Sequence, residues 1–143
     1  YDPYVADPRG LEMEFVSLEA LLKRADYISL HLPLTDETRN LIGAPQFEMM
    51  KDGVCIINCA RGGTINEDAL YEAIRSGKVA GAALDVYAEE PARDNKLFEL
   101  DAVIGSPHIG AATVEAQHRV STEVAERVIE FQKRLGVGKL GNS

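Results

Sequence analysis

The chain carries little positive charge for its size. Its 15 Lys and Arg residues stand against 23 Asp and Glu residues, which gives a formal net charge of -8 over 143 residues. Such a surface repels a phosphate backbone or an anionic membrane on average, so we expect neither nucleic acid nor a membrane as a partner. The sequence also has no apolar run near the length of about 18 residues that a spanning helix requires, and no signal peptide.

The sequence contains two cysteines, and their spacing excludes a disulfide bond between them. Cys55 and Cys59 lie within and at the end of one apparent strand. Residues four apart on a strand are separated by about 13 Å, which is too far for a disulfide. Free thiols in a core fit a reducing environment, so we expect a cytoplasmic protein that binds no metal through these residues.

The overall composition, with 45% apolar and 27% charged residues, is typical of a soluble globular domain. Helix-like and strand-like segments alternate. Strands are predicted over 27–31, 54–58, 79–86 and 102–106, and the apolar run at 54–58 is typical of a parallel strand covered on both faces. Capping residues and turns predict helices that begin after Ser17, Asn66 and Thr113, with Pro45 at a first helical position and Gly77 as a stop. The last helix has an apolar stripe formed by Val120, Val124, Val128, Phe131 and Leu135.

Alternating strands and helices with short connections indicate an α/β fold with a parallel sheet. In such sheets the ligand crevice lies at the carboxyl ends of the strands. The charged or titratable residues at these ends are Asp2, His31, Arg61, Asp85, Glu89, Glu90 and His108. A purely structural sheet has no need of an arginine, several carboxylates and a histidine along one edge, so this edge is predicted to be functional.

Three blocks of sequence carry a resemblance to a known family. They are CARGGTINEDAL (59–70), GKVAGAALDVYAEEP (77–91) and SPHIGAATVEAQ (106–117). In order and spacing they resemble the nucleotide-binding domain of the D-isomer-specific 2-hydroxyacid dehydrogenases, closest to the D-3-phosphoglycerate dehydrogenase branch. The resemblance covers residues 1–135, a partial NAD-binding domain, and leaves 136–143 as a flexible tail. It implies a Rossmann-like, doubly wound parallel sheet that is incomplete, because no GxGxxG loop precedes Asp2 and no separate substrate domain is present.

The resemblance implies a catalytic trio of Arg61, Glu90 and His108. A guanidinium suits a substrate carboxylate and its reacting oxygen, and an imidazole can exchange a proton near neutral pH. Glu90, paired with the other ring nitrogen of the histidine, would favour imidazolium. Glu90 is preferred over Glu89 because the family motif places its glutamate directly before proline. His31 stays outside the trio, since a histidine at a strand end is usually structural.

NAD is the cofactor that the resemblance implies. Asp2, at the end of what resembles the second strand of the fold, would accept the adenosine ribose hydroxyls and repel a 2'-phosphate, although an Asp before Pro3 also fits a simple turn. Asp85 would receive the nicotinamide carboxamide. By similarity the cofactor groove is formed by Asp2, Leu32, Pro33, Cys59, Ala60, Arg61, Asp85, His108, Gly110 and Ala111.

The expected activity is hydride transfer between NAD and a D-2-hydroxy acid. The expected substrate is 3-phosphoglycerate, oxidised to 3-phosphohydroxypyruvate in serine biosynthesis, in a parent protein that forms a dimer or tetramer. Glyoxylate or hydroxypyruvate reductase is an alternative within the family. An NAD-sensing corepressor of the C-terminal-binding-protein type and a non-catalytic dimerisation domain are alternatives from other classes. The loop IGAATVEAQ after His108 favours the metabolic enzymes.

Overall fold

In the first part of the chain, the described residues form four parallel strands and three α-helices that alternate, as the sequence predicts. The structure is a computed structural model that describes residues 1–5, 10, 13–110 and 112–135. The chain divides into two units, Tyr1–Pro107 and His108–Ser143. The tail that we predict at 136–143 lies outside the described residues.

The sheet of the first unit has its strands in sequence order, β1-β2-β3-β4, with every neighbouring pair parallel. This arrangement confirms the Rossmann-like α/β class. The elements of the unit are α1 (Leu18–Arg24), β1 (Tyr27–Leu30), α2 (Ala44–Met49), β2 (Val54–Asn58), α3 (Glu67–Arg75), β3 (Val79–Leu84), a 3₁₀ helix (Lys96–Glu99) and β4 (Val103–Gly105).

The helix ends follow the capping chemistry of the sequence. The Ser17 hydroxyl accepts the N–H of Ala20 at 3.2 Å, and the Asn66 side chain accepts the N–H of Ala69 at 2.9 Å. These bonds satisfy backbone donors that a first helical turn leaves unpaired. Gly77, at φ 79°, follows the last residues of α3 in the left-handed conformation that ends helices.

The hydrophobic core lies where the helices pack on the sheet. Leu22 from α1, Phe47 from α2 and Leu70 from α3 join the inward side chains of the strands in one cluster. Leu22 is 1% exposed and Leu70 is fully buried. Burying a side chain of this kind stabilises a fold by about 1.5–3 kcal/mol, so this layer holds the strand ends in place.

Three details differ from the sequence predictions. Residues of β2 alternate between buried and half-buried, so the run at 54–58 is fully covered on one face only. Pro45 is the second residue of α2, because the amide of Gly43 pairs with the side chain of Gln46 and the helix begins one residue earlier, at Ala44. Cys59 is exposed and therefore not a core residue, while Cys55 is half-buried.

The second unit contains α4 (Val114–Leu135). The Thr113 hydroxyl accepts the N–H of Ala116 at 3.1 Å, which confirms the predicted cap. Val120, Val124 and Phe131 of the apolar stripe are each more than half exposed. Within the described part of the chain, no helix combines the length and apolar character needed to cross a lipid bilayer.

Candidate functional site

The carboxyl ends of the four strands meet at one edge of the first unit. Leu30, Asn58, Leu84 and Gly105 pair in register across the sheet, so the segments that follow them start side by side. Six of the predicted site residues are thereby brought to this edge, Leu32, Pro33, Cys59, Ala60, Arg61 and Asp85. The parallel register explains how residues far apart in sequence come to one edge of the sheet.

The loop that carries Arg61 is held from within by a buried amide. Asn58 is 2% exposed, and its Nδ2 donates to the carbonyl of Arg61 at 3.1 Å and to the hydroxyl of Thr64 at 3.2 Å. Its Oδ1 accepts the N–H of Ala60 at 3.1 Å, and the Thr64 hydroxyl donates to the Arg61 carbonyl at 2.8 Å. Because a buried polar group left unpaired costs about 1–3 kcal/mol, this network fixes the turn.

Arg61 itself is exposed at the top of this turn. Its Nη1 donates to the carbonyl of Ala60 at 2.6 Å, so the guanidinium lies over its own loop. The main chain at Arg61 is fixed by Asn58 and Thr64, while the side chain remains at the surface where a small anion can reach it. A permanent cation can therefore follow a buried strand without being buried itself.

The loops after β2 and β3 touch at a glycine. A Cβ placed on Gly62 would lie 1.7 Å from the carbonyl oxygen of Tyr87 and 2.2 Å from its carbonyl carbon. Both atoms belong to the main chain, so no rotamer change could make room. Only glycine allows this approach, and it sets the spacing between the Arg61 loop and the loop that carries Asp85 and Glu90.

Asp85 begins the second of these loops and is 5% exposed. Its N–H donates to the carbonyl of Asn58 at 3.0 Å, which continues the sheet pairing by one residue. Its Oδ1 accepts the hydroxyl of Ser106 at 2.6 Å, across from the end of β4. The predicted cofactor contact is therefore a buried carboxylate tied to the adjacent strand.

Glu90 lies in the same loop and is exposed. Its Oε1 accepts the N–H of Tyr87 at 3.1 Å, which folds the loop back on itself, and the peptide bond between Glu90 and Pro91 is cis. Glu90 and Arg61 are thus placed on two loops that are in contact.

The last predicted residues belong to other segments of the chain. His108 is exposed and is the first residue of the second unit, with φ 55°, and Gly110 follows it. Ala111 lies outside the described residues. Asp2 accepts the N–H of Tyr4 at 2.8 Å in an Asx turn, and described residues 1–5 form no strand, so the expected strand end at Asp2 is not seen there.

Sequence reasoning missed the residues that hold the two loops. Asn58, Thr64, Ser106 and Tyr87 bring no chemistry of their own to a hydride transfer, so a search for acids, bases and cations passes over them. A signal existed for Asn58, because a polar residue that closes the apolar run VCIIN must find partners if it is buried. Among the described residues, no three His, Cys, Asp or Glu side chains cluster as metal ligands would.

Tyr87, at this edge, has a phenol whose acidity is weakened by its surroundings. Burial raises the pKa of the phenol, and the nearby Asp85 carboxylate raises that pKa further. The hydroxyl donates to the carbonyl of Leu84 at 3.0 Å, and the same carbonyl also accepts the N–H of Ser106. Removal of the hydroxyl therefore leaves the Leu84 carbonyl with the Ser106 partner.

The raised pKa of the Tyr87 phenol predicts that the fold loses stability at alkaline pH. A phenol whose pKa is raised by folding stabilises the fold fully below its ordinary pKa of about 10, and that contribution is lost as the pH rises through the folded-state value. We expect urea unfolding to show a smaller alkaline decline for Tyr87→Phe than for the wild type, with Tyr27→Phe as the control for an exposed phenol. An equal decline in the wild type and Tyr87→Phe would contradict this assignment.

Comparison with known proteins gives concordant matches. The sequence profile of the "D-isomer specific 2-hydroxyacid dehydrogenase, NAD binding domain" matches residues 1–110. The D-3-phosphoglycerate dehydrogenase of Methanocaldococcus jannaschii is 53% identical over 132 residues, which is 90% of this chain and 25% of that protein. The hydroxypyruvate reductase of Thermotoga maritima is 51% identical over 141 residues, or 96% of this chain and 44% of that protein.

A solved structure agrees with the sequence matches. The NAD-dependent formate dehydrogenase of Staphylococcus aureus in complex with NAD superposes with a TM-score of 0.73 at 35% identity, covering 82% of this chain and 36% of that one. This chain spans less than half the length of the curated relatives named above.

Proposed function

Since this chain belongs to the D-isomer specific 2-hydroxyacid dehydrogenase family, whose NAD binding domain it matches, we propose that it supplies part of the cofactor site and the catalytic residues of an oxidoreductase acting on a D-2-hydroxy acid. The observation that carries the proposal is the contact between Gly62 and Tyr87. It joins the loop of Arg61 to the loop of Asp85 and Glu90 at the carboxyl edge of the sheet, where α/β folds bind their ligands.

The cofactor of this domain is NAD, and the residues at the edge fit it. Leu32, Pro33 and Ala60 offer small or apolar contacts suited to flat rings, and Asp85 offers a buried carboxylate suited to a carboxamide donor. When bound, NAD supplies the acceptor or donor of the hydride. The proposed preference for NAD over NADP rests on Asp2, whose charge would repel a 2'-phosphate.

Arg61 is proposed to hold the substrate. Its rigid donor fork matches a carboxylate together with the neighbouring oxygen of a 2-hydroxy or 2-oxo acid. A fixed positive charge also stabilises the negative charge that develops on that oxygen as the hydride leaves carbon 2. The buried network of Asn58 and Thr64 supports this role, because it fixes the main chain from which the guanidinium extends.

His108 is proposed to move the proton. In the oxidation direction it accepts the hydroxyl proton while the carbon-hydrogen bond breaks, and in reduction it returns that proton to the oxygen. Glu90 is proposed to pair with the imidazole and to favour its charged form. The left-handed backbone at His108 and the short loop of Glu90 give each side chain a defined starting point.

The proposed substrate is 3-phosphoglycerate, oxidised to 3-phosphohydroxypyruvate in serine biosynthesis. Support comes from the relative of Methanocaldococcus jannaschii, which is named D-3-phosphoglycerate dehydrogenase. The second candidate is reduction of hydroxypyruvate or glyoxylate, favoured by the relative of Thermotoga maritima that is named hydroxypyruvate reductase.

The proposal is tested by measuring the rate of NADH formation with D-2-hydroxy acids and with their L isomers. We expect the product of the complete open reading frame to reduce NAD with D-2-hydroxy acids and not with their L isomers, and to prefer NAD to NADP. We expect the 143-residue chain alone to bind NAD weakly and to show no turnover, because no GxGxxG loop for the pyrophosphate precedes Asp2.

Rates with 3-phosphoglycerate, compared with the reverse rates for hydroxypyruvate and glyoxylate, decide between the two substrates. Failure of the complete product to oxidise any D-2-hydroxy acid would contradict the proposed function. Steady turnover by the chain alone would contradict the prediction for the isolated domain.

A further inference from the structure

One carboxylate outside the predicted trio ties α3 to the loop that carries Glu90. Glu67 is the first residue of α3, and its Oε1 accepts the N–H of Ala88 at 2.6 Å. Ala88 is two residues before Glu90. A bond from a charged acceptor to a main-chain donor is among the stronger hydrogen bonds in proteins.

The second oxygen of Glu67 holds the far end of the same loop. Oε2 accepts Nδ2 of Asn95 at 2.7 Å, and the Oδ1 of Asn95 accepts the N–H of Leu97 at 3.0 Å as the cap of the 3₁₀ helix. Leu97 is fully buried in the core. Glu67 thus bridges two points of the loop, one of which is anchored in the core.

The loop between these two points carries Glu90 in a defined position. The Oε1 of Glu90 accepts the N–H of Tyr87, the residue before Ala88. The N–H of Tyr87, which binds Glu90, is therefore next in the chain to the N–H of Ala88, which binds Glu67. A shift at Ala88 would be transmitted to Glu90 through one peptide unit.

We infer that Glu67 is a positioning residue, which fixes the loop from Ala88 to Asn95 and thereby the carboxylate of Glu90. The catalytic part of this inference rests on the proposed function, because it takes Glu90 as a member of the catalytic trio. Glu67 touches neither substrate nor cofactor in this role. It acts on catalysis through the placement of Glu90.

The hydrogen bond between Glu67 and Asn95 can be broken and rebuilt by exchanging the carboxylate and the amide between the two residues. In Glu67→Gln, an amide NH₂ faces the NH₂ of Asn95, and in Asn95→Asp, two carboxylates face each other. The double variant restores the pattern. The Oε1 of the introduced glutamine can still accept the N–H of Ala88, while its NH₂ donates to the introduced aspartate. That carboxylate still accepts the N–H of Leu97, and the net charge is unchanged.

Amide hydrogen exchange in the 143-residue chain tests whether Glu67 fixes the loop, and this measurement does not depend on enzymatic activity. We expect exchange at Ala88 and at Tyr87, whose amide reports the Glu90 bond, to rise about ten-fold in each single variant and to return towards the wild-type rate in the double variant. Asp68→Asn is the matched control, because it also removes a first-turn carboxylate of α3 but one whose partner is Lys96 at 2.7 Å.

Kinetics of the complete open reading frame product test the catalytic part. We expect kcat to fall by about 10- to 100-fold in each single variant with KM for NAD unchanged, and to recover in the double variant, because the misplaced group acts in the chemical step. Unchanged exchange in both single variants, or a double variant no better than the singles, would overturn the inference. Faster exchange with unchanged kcat would overturn the catalytic part.

The two proposals fail in different ways. Absence of any hydroxyacid-dependent activity in the wild-type product would reject the proposed function, while the exchange rates of Tyr87 and Ala88 would still decide whether Glu67 fixes the loop. A loss of folding in one variant would appear as faster exchange throughout the core, including at Leu70, which the inference does not predict.

Discussion

Gly62→Ala is expected to destabilise the first unit by about 3 kcal/mol and to lower its Tm by about 10 °C. The added methyl group would lie 1.7 Å from the carbonyl oxygen of Tyr87, well inside contact distance. Because the obstacle is main chain, either the Arg61 loop or the loop of Asp85 must move. The same movement is expected to remove NAD binding, since both loops line the proposed cofactor groove.

Gly81→Ala is the matched control for the loss of a glycine. The added Cβ there would meet the carbonyl oxygen of Ala102 at 3.4 Å, which is an ordinary contact, and Gly81 has no positive φ. Thermal unfolding of the 143-residue chain, and titration calorimetry of the complete open reading frame product with NAD, should therefore separate the two variants clearly. If Gly62→Ala unfolds at the same temperature as Gly81→Ala and still binds NAD, the close approach of the two loops is wrong.

His108→Asn is expected to lower kcat/KM of the complete open reading frame product by about 10²- to 10⁴-fold, the usual contribution of a positioned acid or base. Asparagine tolerates the left-handed conformation that His108 adopts at φ 55°, so the backbone should be retained. The affinity for NAD should change little, because the main chain that His108 contributes to the predicted cofactor groove is retained and its imidazole is proposed to act on the substrate oxygen. Initial rates of NADH formation, together with the Kd for NAD, measure both quantities.

His118→Asn controls for the loss of a histidine from the second unit, since His118 lies on the exposed surface of α4. It is expected to leave kcat/KM unchanged. A wild-type rate in His108→Asn would reject His108 as the proton carrier. His31, which pairs through Nε2 with the hydroxyl of Ser29 at 2.8 Å, would then be the next histidine to replace.

The general plan of the fold was predictable because it depends on short-range patterns. Apolar runs predicted all four strands to within two residues at each end, and the polar residues Ser17, Asn66 and Thr113 cap helices as expected. Capping and strand periodicity depend on neighbours within a few residues, so the sequence contains the information directly. The start of α2 at Ala44 was not predicted, because its N-cap Gly43 has no capping side chain and pairs with Gln46 through its main-chain N–H.

The position of several candidate site residues at the strand ends was predictable, and the contacts that hold them there were not. Parallel strands bring the residues after them to one edge, so the sequence was enough to expect Arg61 and Asp85 at that edge. Which residues hold them could not be predicted. The partners of Asn58 and Glu67 depend on how the loops fold in space, and Ala88 is 21 residues away from Glu67 in sequence.

The sequence by itself determined the α/β class, the order of the elements and the types of side chain that reach the carboxyl edge of the sheet. These follow from local periodicity and from three ordered motifs, and both signals come from residues that are close together in the sequence. Only the tertiary structure decided that Gly62 meets the main chain of Tyr87 and that Glu67 holds the loop of Glu90. Such contacts join segments distant in the chain, and their geometry is set by the packing of the whole sheet and its helices.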